Sequence, residues 1–113
     1  ADTGTYAHKL DVLRNHCEAV GREYKDIEKT VVNTVVVRET TDAAHEAYES
    51  LMAGTARGPA PRGDYRGAVG TPAEVAAEIE AFGELGVSLF IMKVPKNDQE
   101  SIDRFIDDVL PTI

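Results

Sequence analysis

The sequence predicts an α/β fold with parallel strands, in a single unit spanning residues 1–113. Three observations predict it. Two runs, 30–37 and 87–94, are apolar at nearly every position, as expected of strands covered on both faces in a parallel sheet. Helical periodicity alternates with those runs, and crossovers between parallel strands produce that order. The composition is also that of an ordinary globular domain. It is 42% hydrophobic and 28% charged over 113 residues, enough to bury a core without disulfides or structural zinc.

Taken in order, Tyr6, Leu10, Leu13, Cys17 and Val20 recur at the three-and-four spacing of one helix face, and Gly21 follows as a left-handed C-cap. A polar stretch from Arg22 to Lys29 leads into the first strand, which is β-branched almost throughout. Thr40 and Thr41 offer N-caps for a second helix carrying Ala44, Ala47, Tyr48 and Leu51 on one side. Residues 54–70 hold Gly54, Gly58, Pro59, Pro61, Gly63, Gly67 and Gly70, a density that predicts a flexible loop with no regular structure. Such long loops tend to be lids or binding loops.

Gly70-Thr71-Pro72-Ala73-Glu74 reads as a strong helix start. Thr71 is the N-cap, Pro72 the first helical residue and Glu74 the partner in a capping box. Val75, Ile79 and Phe82 form its buried stripe and Gly86 closes it. After the second strand, Asn97 and Glu100 repeat the capping spacing. The last helix then buries Ile102, Phe105, Ile106, Val109 and Leu110 and stops at Pro111.

Two doubly covered strands do not make a stable sheet by themselves, because their edges and one face lack partners. Further strands are expected either from a second copy of the chain or from a larger fold. The chain opens Ala1-Asp2-Thr3-Gly4 without an initiator Met, which a mature chain, a tag remnant or a cut from a longer protein would each give.

The net charge of −8 disfavours nucleic acid and anionic lipid as partners, and an aromatic share of 6% with no Trp leaves few platforms for stacked bases. No apolar run is long enough to span a membrane and no signal peptide is seen. Cys17 is the lone cysteine, so no internal disulfide forms and a cytoplasmic location is expected. His8, His16 and His45 lack metal-ligand spacing, so no metal site is expected. No nucleotide loop, serine elbow or other catalytic motif appears, and the residues indicate no nucleophile or general base.

Three stretches carry a family resemblance. Residues 9–22, Lys9-Leu10-Asp11-Val12-Leu13-Arg14-Asn15-His16-Cys17-Glu18-Ala19-Val20-Gly21-Arg22, resemble the helix before the seventh strand of luciferase-like monooxygenases, especially those using coenzyme F420. Val69-Gly70-Thr71-Pro72-Ala73-Glu74-Val75 resembles that family's start of the helix before the final strand. The close, from Phe82-Gly83-Glu84-Leu85-Gly86-Val87 to Asp108-Val109-Leu110-Pro111, is similar to its last strand and helix. The resemblance implies the C-terminal segment of a (β/α)8 TIM-type barrel, with two parallel strands and crossover helices, completed by an N-terminal part or by oligomerisation. It further implies an F420- or FMN-dependent oxidoreductase, a monooxygenase or hydride-transfer enzyme acting on a small organic substrate and inactive as this segment alone. The alternative is a non-catalytic α/β module that forms a homo-oligomer through its exposed strands.

In a barrel the chemistry lies at the C-terminal ends of the strands. Arg38, Arg57, Arg62, Tyr65, Arg66 and Lys93 are therefore the candidates for binding cofactor or substrate. Arg57, Arg62 and Arg66 face one acid, Asp64, within the 54–70 loop, a locally basic segment on an acidic chain. Their guanidinium forks suit phosphate or carboxylate, although arginines in a solvated loop also serve solubility. Tyr65 either stacks on a ring or anchors the loop. Arg38 and Lys93 either meet an anionic group or extend into water at the rim.

Overall fold

The computed structural model describes residues 3–53, Thr55, Gly58 and 67–113. The helices are α1 (Thr3–Val20), α2 (Thr41–Met52), α3 (Pro72–Glu84) and α4 (Gln99–Arg104). The strands are β1 (Thr30–Val37), β2 (Gly67–Gly70) and β3 (Leu89–Lys93). All pairings are parallel, in the order β2-β1-β3. The expected two-strand sheet is thus a three-strand one. The extra strand comes from the stretch 67–70 that the sequence assigns to an irregular loop.

Glycine hides β2 from sequence patterning, since it carries low strand propensity, yet here glycine is what permits the pairing. Gly67 lies opposite Thr34, and a Cβ at 67 would collide with the Thr34 carbonyl. At the other end, the Arg38 N–H donates to the Gly70 carbonyl at 3.2 Å. Close backbone approach is one of the few reasons for glycine inside a strand.

Side chains alternate between the two faces of a strand. On one face Val35, Val37 and Ala68 pack with Val75 and Ala76 of α3 and with Phe105 and Val109 beyond α4, joined at the margin by Ile79, Phe90 and Met92. Near the N-terminal ends of the strands, α1 closes this layer. The Tyr6 ring meets Phe82 edge-on at 5.5 Å, Phe82 meets Phe90 at 5.9 Å, and the Tyr6 hydroxyl donates to the Thr30 carbonyl at 2.7 Å.

The opposite face is largely uncovered. Val32, Leu89 and Ile91 are 49%, 45% and 42% exposed, and the register pairs Val32 directly with Ile91. The strands were expected to be covered on both faces. β3 instead has one apolar face in the open, and only near the end of β1 is this side closed, with Val36 fully buried. The radius of gyration, 15.5 Å, exceeds the roughly 13 Å of a compact domain of this length. The smallest extent is 21 Å, about the depth of one sheet plus one helix layer.

The caps follow the sequence with one exception. Gly21 takes φ +74°, and the Arg22 N–H donates to the Cys17 carbonyl at 2.9 Å, closing α1 in a Schellman turn. Thr40 caps α2 by accepting from the Ala43 N–H at 3.1 Å. Thr71 and Glu74 form the reciprocal box at α3, and the Thr41 hydroxyl donates to the same Glu74 carboxylate at 2.6 Å. At α4 the N-cap is Asp98 rather than Asn97, and Glu100 is not part of a box. Both acidic side chains are drawn to Arg38 instead.

The last helix also departs from expectation. After Arg104 it widens into a π-helical segment, Phe105–Val109, before a final turn, Leu110–Thr112. Ser101, Phe105 and Val109, spaced four apart, are the buried face of this segment. Ile106 and Leu110, expected inside, are 54% and 48% exposed, and Val20 at the end of α1 is 68% exposed.

Candidate functional site

At the C-terminal end of β1 the chain continues into Arg38, whose backbone is held by β2 and whose side chain turns toward the segment after β3. Its guanidinium donates to both carboxylate oxygens of Asp98, at 2.8 and 3.0 Å, and to the Ser101 hydroxyl at 3.0 Å and the Val37 carbonyl at 2.9 Å. Its Nε lies 3.4 Å from Glu100. Ser101 is fully buried, donates to Asp98 at 2.6 Å and accepts from the Val37 N–H at 2.9 Å. Burial pushes the Asp98 carboxyl up, but the hydrogen bonds from Arg38 and Ser101 and the Arg38 charge outweigh it. The net effect holds the carboxyl below its ordinary value.

Arg38 is therefore a clamp. Its fork is spent on internal acceptors, and it ties the end of β1 to the start of α4. As a candidate for binding cofactor or substrate it would have to give up these partners.

The clamp brackets an unusual loop. Lys96 and Asn97 have φ of 50° and 54°, two consecutive non-glycine residues in the left-handed region. Asparagine tolerates that conformation, whereas lysine does so at a cost. Strain of this kind is of order 1–3 kcal/mol per residue, and it persists where surrounding structure over-determines the backbone. Pro95 on one side and the Arg38–Asp98 pair on the other supply that constraint.

On the open face of the sheet, beside this loop, lies a cavity of about 400 Å³. Thr34 and Lys93, paired in register on β1 and β3, form its floor, and Met52 and Thr55 at the end of α2 form one wall. The other wall is the loop 94–96, ending in Lys96. The volume falls within the range of small-molecule sites. Lys93 and Lys96 are both exposed, and among the described residues neither has an ion-pair partner. A cavity lined by two exposed lysines stands out in a chain of net charge −8.

Of the six sequence-derived candidates, Arg38 and Lys93 are placed, one in the clamp and one in the cavity. Arg57, Arg62, Tyr65 and Arg66 lie outside the described residues. Sequence reasoning missed Lys96, Asp98 and Ser101. The turn-forming residues after the strand carry a signal, but Asn97 and Glu100 read as a second capping pair, and Lys93 alone of this stretch stands out as a strand-end candidate. Among the described residues no cluster of His, Cys, Asp or Glu is placed to hold a metal, and no helix is long and apolar enough to cross a membrane.

No protein-family model matches this sequence, and no curated protein does. Among solved structures the fold is similar to that of riboflavin lyase RcaE, determined with modified FMN and its substrate riboflavin. The TM-score is 0.62 at 18% identity. The likeness covers 99% of this chain and 36% of that one, so the chain spans about a third of that enzyme's length. At this identity the similarity is one of fold. The class it defines is an α/β arrangement of three parallel strands with helices, compatible with part of a barrel and related in fold to a flavin enzyme.

Proposed function

We propose that this chain is the C-terminal part of a luciferase-like (β/α)8 oxidoreductase that uses FMN or coenzyme F420, and that further strands complete it for turnover. The observation carrying this reading is the apolar sheet face of Val32, Leu89 and Ile91, left open beside a cavity at the C-terminal strand ends. A sheet covered on one face by α3 and the C-terminal helical segment, with Val32, Leu89 and Ile91 open on the other, suits the wall of a barrel, where that face turns inward. The fold likeness to a flavin enzyme, over about a third of its length, supports the same reading.

The cavity fits the polar, phosphate-bearing end of such a cofactor better than its ring. Lys93 and Lys96 line it, and among the described residues no aromatic side chain does. A bound flavin or deazaflavin would supply the electrons, and this chain would contribute position and exclusion of water. The substrate is a small organic molecule at the strand ends. The test is flavin fluorescence and F420 absorbance titration of the full product of the reading frame containing these residues. Saturable binding of either cofactor is expected, and failure to bind both rejects the assignment.

A second reading is favoured by the same open face and by the outer edges of β2 and β3, which pair with no further strand among the described residues. In it the chain is a non-catalytic module that forms a homo-oligomer through its strands. A tight oligomer in sedimentation, with no affinity for either cofactor, selects this reading over the first.

A further inference from the structure

On the reading of the chain as about a third of a barrel enzyme, we infer that the backbone edge of β1 at Val32 seats one further parallel strand, the strand preceding α1 in the longer chain. Alternate residues of a strand point their N–H and C=O groups toward opposite neighbours. The Ser88 and Leu89 N–H groups both donate to the Lys29 carbonyl, at 2.9 and 3.4 Å, so Lys29, Val31 and Asn33 are turned toward β3. The Arg38 N–H donates to the Gly70 carbonyl, so Arg38, Val36 and Thr34 are turned toward β2. Val32 and Thr30 share that second direction. β2, however, begins at Gly67, opposite Thr34. At the lower end the Tyr6 hydroxyl already donates to the Thr30 carbonyl at 2.7 Å. Between these two stops, among the described residues, no strand pairs with Val32 on this side, and Val32 is 49% exposed. An open backbone edge of this kind is a template for another strand.

The hand of the crossovers decides which strand takes it. Crossovers between parallel strands are right-handed, so helices on one face of a sheet all carry the chain in the same lateral direction. α3 runs from β2 to β3 across the face that holds Val35 and Val37. α1 lies on that same face, with Tyr6 against Phe82 of α3. It leads into β1, so a strand before α1 falls on the β2 side of β1, where the Val32 edge is open. α2 travels the opposite way, from β1 to β2, and its Met52 lines the cavity on the other face, as the same rule requires. The incoming strand and β3 then flank the same stretch of β1, as neighbours in a barrel do. β2 sits above that ladder and limits how far the incoming strand slides.

The test is amide hydrogen exchange, read residue by residue by NMR on the 113-residue chain and on the full product of the reading frame that contains it. In the chain, Val31 and Asn33 should exchange roughly a hundredfold or more slowly than Val32. Equal protection of Val32 in a dilute, monomeric chain overturns the open edge. In the full product Val32 should join the protected set, and its amide should show through-space contacts to a residue upstream of Ala1. A Val32 amide that stays fast there overturns the docking, and contacts to a residue downstream of Ile113 overturn the choice of strand. Protection in the full product that is lost on dilution to monomer gives the edge to a second copy and likewise overturns it. Titration of the same samples with FMN and F420 separates this inference from the cofactor assignment. Val32 protected by an upstream strand with neither cofactor bound keeps the docking and rejects the cofactor. A bound cofactor with Val32 still fast keeps the oxidoreductase and overturns the docking.

Discussion

Arg38 and Asp98 meet in a two-pronged ion pair at 2.8 and 3.0 Å, with side chains only 15% and 9% exposed. The pair joins the strand at the centre of the sheet to the entrance of the last helix. Removing Asp98 leaves Arg38 with only the longer ion pair to Glu100, and removing Arg38 leaves the largely buried Asp98 carboxylate without its counter-ion. Asp98→Asn and Arg38→Met are each expected to destabilise the fold by about 2–4 kcal/mol in urea unfolding. Arg38→Lys keeps the charge and loses the fork, and is expected to recover less than half of that.

The same pair sets an acid dependence. The folded-state pKa of Asp98 is depressed, so its contribution is fully present above the ordinary carboxylate value of roughly 4 and is lost as pH falls through the lower folded value. Glu74 is depressed as well, first by the hydrogen bond from Thr41 and then by the Thr71 backbone, and adds in the same direction. Stability measured from pH 6 downward should therefore fall below about pH 4, and Asp98→Asn should flatten that fall.

Gly67 is expected to resist substitution. Alanine there would push β2 away from the Thr34 carbonyl, for about 1–3 kcal/mol, a typical overpacking cost. Alanine at Gly83, where the added carbon meets nothing within 4 Å, should be neutral or stabilising, since residue 83 lies within α3. Thermal melts of the two variants side by side check the contrast.

Charge on the open sheet face should act on association and leave the secondary structure intact. Val32→Lys with Ile91→Lys places two cations at a paired position now 49% and 42% exposed. Far-UV dichroism should stay the same, while sedimentation should show less self-association than the unsubstituted chain. An unchanged sedimentation profile in a chain that does self-associate would mean that another surface carries the contact.

The elements with strong local chemistry were legible in the sequence. Thr71-Pro72-Ala73-Glu74 announces α3 because capping is local and needs no tertiary partner. The β-branched run 30–37 announces β1 for a similar reason. β2 was not legible. A strand of Gly-Ala-Val-Gly has no pattern of its own and exists because Thr34 to Val37 offer it a ladder. The capping residue of α4 is not legible locally because Asp98 and Glu100 respond to Arg38, a partner sixty residues away in sequence for Asp98. At the site, Lys93 could be read from its strand-end position. Lys96 depends on a backbone conformation that residue type does not announce.

β1 pairs with β2 over Thr34 to Val37 and with β3 over Thr30 to Thr34, so Thr34 alone is engaged by both neighbours. The two ladders hardly compete for backbone groups, and either can assemble while the other is absent. Because β2 returns to β1 through a shorter connection than β3 does, its closure costs less chain entropy, and the first βαβ unit gains a head start in folding. The arrival of β3 then brings Lys93 beside Thr34, which makes completion of the cavity a late event in the maturation of the chain.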